Sequence, residues 1–144
     1  MKRILVAVDG SKYGLAAVKS AIKLAVDRGL KSVTLINVIP AVSTPNGIML
    51  TGAPPDDVEA WEVFAEPKAL LKAAGLEAKL LLCEGDPSME IIRVAKKRNY
   101  DLIVVGHRGL SPVKAFLLGS VSNRLVAHAP CSVLVVRPGF NDNS

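Results

Sequence analysis

The sequence predicts an α/β fold, a doubly wound parallel sheet of five strands with helices on both faces. Two observations carry this. Short continuous apolar runs recur at 3–8, 32–39, 77–83, 101–105 and 131–136, the pattern of strands buried on both faces. Between them the apolar residues change to helical spacing, and strands alternating with helices call for a parallel sheet with right-handed crossovers.

The elements follow in order. "RILVAV" (3–8) is the first strand. From Ser11 a helix begins, with Leu15, Val18, Ile22 and Val26 as its apolar stripe and Gly29 as its stop. "SVTLINVI" (32–39) is the second strand, and the Pro- and Gly-rich stretch 43–57 reads as a loop. A helical stretch from Asp57 to Ala74 contains Pro67, which predicts a kink or two short helices. "EAKLLLC" (77–83) is the third strand. Asp86 then caps a helix with Pro87 in first position, which turns Ile91, Ile92 and Ala95 inward and ends near Asn99. "DLIVV" (101–105) is the fourth strand. A short helix from Ser120 to His128 is closed by Pro130, and "CSVLVV" (131–136) is the fifth strand. On this pattern two strand orders stay open, 2-1-3-4-5 and 3-2-1-4-5.

Residues 1–144 suit a single domain, and 50% hydrophobic with 22% charged residues excludes a disordered chain. No apolar run approaches the ~20 residues of a membrane helix, so no membrane partner is expected. The start "MKRILVAVDG" is too short an apolar run for a secretory signal, and Asp9 interrupts it; a cytoplasmic protein is expected. Cys83 and Cys131 lie in apolar runs and read as unbridged buried thiols. The net charge of +5 raises nucleic acid as a partner. Arg28, Lys31, Lys96, Lys97 and Arg98, however, fall around helix ends, where cations complement the helix dipole. Basic residues are not interleaved with aromatics, which are only 4% of the chain, so nucleic acid is the least expected ligand.

In the second strand order, the first and fourth strands meet where the winding reverses. Their carboxyl ends carry Asp9-Gly10-Ser11 and Gly106-His107-Arg108-Gly109. A glycine directly after a strand permits a sharp turn with positive φ and leaves room for a ligand. Gly119 and Ser120 open a helix whose free N–H groups favour an anion, with Ser120 and Ser122 as hydroxyl donors and Arg108 and Lys114 in the intervening loop. This would be a phosphate cradle built from backbone. It is neither the P-loop nor the dinucleotide fingerprint. On spacing alone, ordinary loop glycines and an ordinary helix cap account for it equally well.

The spacing Gly106-x2-Gly109-x9-Gly119-Ser120 resembles the nucleotide-binding pattern of the universal stress protein family, in its ATP-binding branch. The resemblance extends along nearly the whole chain. "RILVAVDGS" is similar to that family's first strand, "GDPSMEIIRVAKKRNYDLIVVGHRG" to its third helix and fourth strand, and "LLGSVSNRLVAHAPCSVLVVRP" to its closing segment. It implies a Rossmann-like sheet of order 3-2-1-4-5 with an ATP (or AMP or ADP) site at the crevice. By position, Asp9 would bind a bridging Mg²⁺ or Mn²⁺. Val38 would meet adenine through its backbone, and Ala7 and Val8 would line the adenosine pocket. Gly106, Arg108, Gly109, Gly119, Ser120, Val121 and Ser122 would surround ribose and phosphates. Asp9 also reads as an N-cap for the helix that follows it. The segment between the second and third strands, which roofs the adenine side in the family, is shorter here than in many members.

The function expected from this is a stress-response regulator that acts by ATP occupancy and signals to a protein partner. The alternative is a slow ATPase or phosphotransferase, for which His107 and Ser111 are the candidate base and nucleophile. The fifth strand, apolar and at a sheet edge, predicts a homodimer through 131–136, as the resemblance also implies.

Overall fold

The computed structural model describes residues 2–50, 56–108 and 119–138. The parallel strands are β1 (Ile4–Ala7), β2 (Ser32–Thr44), β4 (Glu77–Gly85), β5 (Leu102–Gly106) and β6 (Ser132–Val136). β1 lies between β2 and β5, β4 flanks β2, and β6 flanks β5, all in parallel register. The resulting order, 4-2-1-5-6, departs from the predicted numbering because a further strand, β3 (Gly47–Leu50), enters the count. The residues predicted as loop from position 43 in fact begin as a hairpin. β2 runs on to Thr44, and β3 returns antiparallel to it, with Thr44 paired to Gly47 and Ala41 to Leu50. A Pro- and Gly-containing run hides this short pairing in the sequence, because the turn residues outnumber the strand residues that flank them.

The sheet is covered on both faces. Successive residues of β1 point to opposite sides. Ile4 and Val6 join the cluster formed with α1 (Lys12–Asp27) and α2 (Ala65–Ala73). Leu5 joins the one formed with α3 (Pro87–Lys97) and α4 (Ser120–His128). Phe64, Leu71 and Val18 fill the first layer, and Ile91, Ile103 and Leu125 the second.

α1 shares Val18 with the stripe its large residues predict, but its buried face is otherwise made of small residues. Gly14, Ala17, Val18, Ala21 and Ala25 face the sheet, while Val26 is 53% exposed and Leu15 and Ile22 are half-buried. The cause is close approach. A helix this near the sheet admits only small side chains on its axis and displaces larger ones to its flanks. Its N-cap is Ser11, which accepts the Gly14 N–H at 3.2 Å, and not Asp9. Pro67 produces no kink. Two single-turn 3₁₀ helices, Val58–Ala60 and Glu62–Phe64, precede α2, so Pro67 falls in the first turn of α2, where an N–H has no helical partner to lose. α3 is capped as expected by Asp86, whose carboxylate accepts the Met89 N–H at 3.0 Å. Val94 joins Ile91 and Ala95 on its buried face, and Ile92 is half-buried against the same cluster. Cys83 and Cys131 are free thiols. Among the described residues, no helix is long and apolar enough to cross a membrane.

Candidate functional site

A cavity of about 460 Å³ opens at the carboxyl ends of β1, β2 and β5. Of the residues the sequence nominated, Ala7, Val8, Asp9 and Val38 line it from β1 and β2. Gly106, Arg108, Gly119, Ser120, Val121 and Ser122 line it from β5 and α4. Gly109, Ser111 and Lys114 lie outside the described residues.

The strand ends create the site through a difference in length. β1 stops at Ala7, and the Val8 N–H makes a further bond to the Ile36 carbonyl at 2.9 Å. Main-chain groups alternate in direction along a strand. Val38, two residues beyond Ile36, therefore turns its N–H and C=O the same way, past the end of β1 and into the cavity. Asp9 follows directly. One carboxylate oxygen accepts the Ser11 N–H at 2.9 Å, which fixes the side chain at the mouth between β1 and α1. Among the described residues, no three His, Cys, Asp or Glu side chains are grouped to hold a metal ion.

α4 supplies the opposite wall. Gly119 is its N-cap and offers no side chain, so the N–H groups of its first turn depend on an outside acceptor. The main chain of Gly119 lies close against that of His107 and Arg108. The Gly119 N–H reaches the His107 carbonyl at 2.7 Å, and a Cβ at Gly119 would stand 3.3 Å from the Arg108 Cα. The Ser122 hydroxyl is not the anion donor it was expected to be. It is buried and directed at the Gly119 and His107 carbonyls, at 3.0 and 3.2 Å, and so ties α4 to the end of β5. Gly106 departs from expectation in its reason. Its φ is not positive; a Cβ would instead stand 2.7 Å from the Tyr13 carbonyl oxygen of α1.

His107 is buried, but its side chain does not line the cavity. Its ring meets Tyr13 edge to face at 5.1 Å. Nε2 accepts from Arg108 Nε at 3.2 Å, which leaves the ring proton on Nδ1, and Nδ1 has no hydrogen-bond partner among the described residues. Burial, reinforced by Arg108 and Arg137, holds its pKa below the ordinary imidazole value. A neutral histidine turned toward α1 is in no position to act as a base within the cavity.

Asn37 and Trp61 are among the lining residues that the sequence reading did not nominate. Asn37 is buried, with Nδ2 donating to the Val8 carbonyl at 2.8 Å and Oδ1 accepting from Trp61 Nε1 at 2.8 Å. The available signal was an amide inside the apolar run 32–39, since a buried amide must find partners. Trp61 joins the two 3₁₀ turns and borders the cavity from above.

The profile of the universal stress protein family matches residues 1–137. The chain belongs to that family. Universal stress protein MJ0531 of Methanocaldococcus jannaschii is 33% identical over 139 residues, covering 94% of this chain and 82% of the relative. Universal stress protein YxiE of Bacillus subtilis is 32% identical over 146 residues, covering 94% and 98%. Among solved structures, a universal stress protein in complex with cAMP superposes with a TM-score of 0.70 at 26% identity, covering 96% of this chain and 98% of that one. As in any open α/β sheet, the crevice of this universal stress protein lies where the winding reverses between β1 and β5.

Proposed function

We propose that this protein binds an adenine nucleotide, ATP or its AMP and ADP relatives, together with Mg²⁺ or Mn²⁺, and acts in the stress response by occupancy of the site and not by turnover. One observation carries the reading: the cavity brings a strand-end carboxylate, a helix N-terminus and the outward main chain of Val38 to a single volume. About 460 Å³ falls within the range of small-ligand sites. The first turn of α4 faces the phosphates, where free N–H groups favour an anion. Val38 meets the edge of the base. Asp9 supplies the cation with one protein ligand, and the phosphates and water supply the others, as Mg²⁺ prefers. The cAMP held by the structural relative supports the nucleotide class. His107, the base the sequence suggested, does not line the cavity.

The test begins with mass spectrometry of whatever nucleotide is released when freshly purified protein is denatured. Titration with Mg-ATP follows for wild type, Gly119→Val and Asp9→Asn. Gly119→Val places a branched side chain against the Arg108 backbone and should abolish binding. Asp9→Asn should weaken Mg-ATP far more than metal-free ATP, by about 1.5–3 kcal/mol. Unchanged binding in Gly119→Val would refute the site. Single-turnover hydrolysis should run well below the ~10 s⁻¹ typical of enzymes; fast hydrolysis would replace occupancy by catalysis.

A further inference from the structure

The cavity has two apolar walls of different origin. On the α3 and α4 side stand Pro87, Ile91 and Val121; on the α1 and α2 side stand Trp61 and Val63. Between them Val38 lines the cavity. A slot with apolar walls and a hydrogen-bonding edge fits a flat heterocycle: the faces lie against the walls, and the rim meets the edge.

Trp61 is not a loose surface side chain. Its indole N–H is held by Asn37 Oδ1 at 2.8 Å, and the same amide donates to the Val8 carbonyl at 2.8 Å. The assignment of that amide follows from its partners, because an indole only donates and a carbonyl only accepts. Asn37 thereby holds both its oxygen and its nitrogen on fixed partners, and the indole it holds lines the slot. The same amide bonds the residue that immediately precedes Asp9. The wall for the base and the carboxylate for the cation are therefore two hydrogen bonds apart.

We infer that Trp61, positioned by Asn37, is the specificity-determining wall of the site and selects a purine base by stacking. This rests on the nucleotide reading above and adds to it the residue that chooses the base. A purine, with two fused rings, covers more of an indole than a pyrimidine does, so the wall favours adenine over cytosine without a hydrogen bond to either.

The experiment titrates the full chain with Mg-ATP, Mg-CTP and Mg-tripolyphosphate, by calorimetry and by the fluorescence of Trp61, the chain's single tryptophan. Wild type should prefer ATP to CTP, and its fluorescence should change with ATP and not with tripolyphosphate. Trp61→Leu should weaken ATP about 10-fold, compress the ATP preference over CTP and leave tripolyphosphate unchanged, because stacking acts on the base alone. Trp61→Phe keeps an aromatic face and should retain most of the preference. The inference is overturned if Trp61→Leu keeps the wild-type ATP preference, or if it loses ATP and tripolyphosphate equally. Should Trp61→Leu fail to fold, wild-type fluorescence that stays constant while calorimetry shows ATP saturation overturns it instead. A wild type that binds neither ATP nor tripolyphosphate is a different result: it removes the nucleotide reading itself.

Discussion

A methyl group at position 106 would stand 2.7 Å from the Tyr13 carbonyl oxygen and 2.8 Å from its carbonyl carbon, both backbone atoms that no rotamer can move aside. Gly106→Ala should therefore push α1 away from β5 and lower stability by about 1–3 kcal/mol, the usual cost of overpacking. Urea denaturation measures it, and an unchanged midpoint would mean that α1 yields without strain. His107 gives a second expectation at this scale. Its pKa is held below the ordinary 6.5, so the unfolded chain takes up a proton before the folded one does. Stability should begin to fall as pH drops past 6.5, with the loss complete below the folded pKa. Asp86, held down by the Met89 N–H and the Ser88 hydroxyl, and Asp101, held down by the Lys2 and Arg3 N–H groups, act lower. Their contribution is intact above 3.8 and is lost as pH falls through their depressed values. Thermal melts across this range should show two separate losses. His107→Gln should abolish the upper one and spare the lower; a single loss below 3.8 in wild type would contradict the assignment.

The outer strands of the parallel sheet are β4 and β6, and β6 is the one without a charged residue. The Val136 carbonyl accepts from the His107 N–H at 2.9 Å and so faces β5, which turns the main-chain groups of Val135 and Val133 outward. Leu134 is 36% exposed and Val126, on the neighbouring α4, 55%. We propose that a second copy pairs with this edge about a twofold axis. Val135→Pro deletes a donor used only by such a partner, so sedimentation at tens of micromolar should shift toward monomer while the melting curve of the subunit persists. A wild type that already sediments as monomer would end the proposal. The five parallel strands and three of the four helices were readable because burial on both faces writes a continuous apolar run, and because Asp86-Pro87 and Gly119-Ser120 are local signals. The β2–β3 hairpin, the true face of α1 and the place of Pro67 were not readable. Each depends on what a residue packs against: a short antiparallel return, a close helix, a helix that starts later than its composition suggests. The site shows the same division. Asp9 and the start of α4 announce themselves by residue type. The tie from Trp61 to Asn37 joins residues from separate elements, and no local pattern records it.

On the scale of the whole molecule, parallel strands set every carboxyl end at one pole. The N-termini of α1, α3 and α4 gather there, and the carbonyl ends of the helices at the other. Exposed Arg28, Lys96, Lys97 and Arg98 cluster at those carbonyl ends, where they offset the helix dipoles far from the cleft. The cleft itself depends on a stagger, four residues of β1 against thirteen of β2. This stagger bears on how ligand choice would pass down a lineage. If the edge of the base is met by the main chain of Val38, no side chain spells out that contact. Exchanging valine there for another strand-forming residue would leave the edge contact intact. An insertion of two strand-forming residues before Asp9, with every side chain kept, would carry β1 past Val38 and erase it. Heredity of the base edge would then reside in where a strand stops, and only the Trp61 wall would remain open to change by single substitutions.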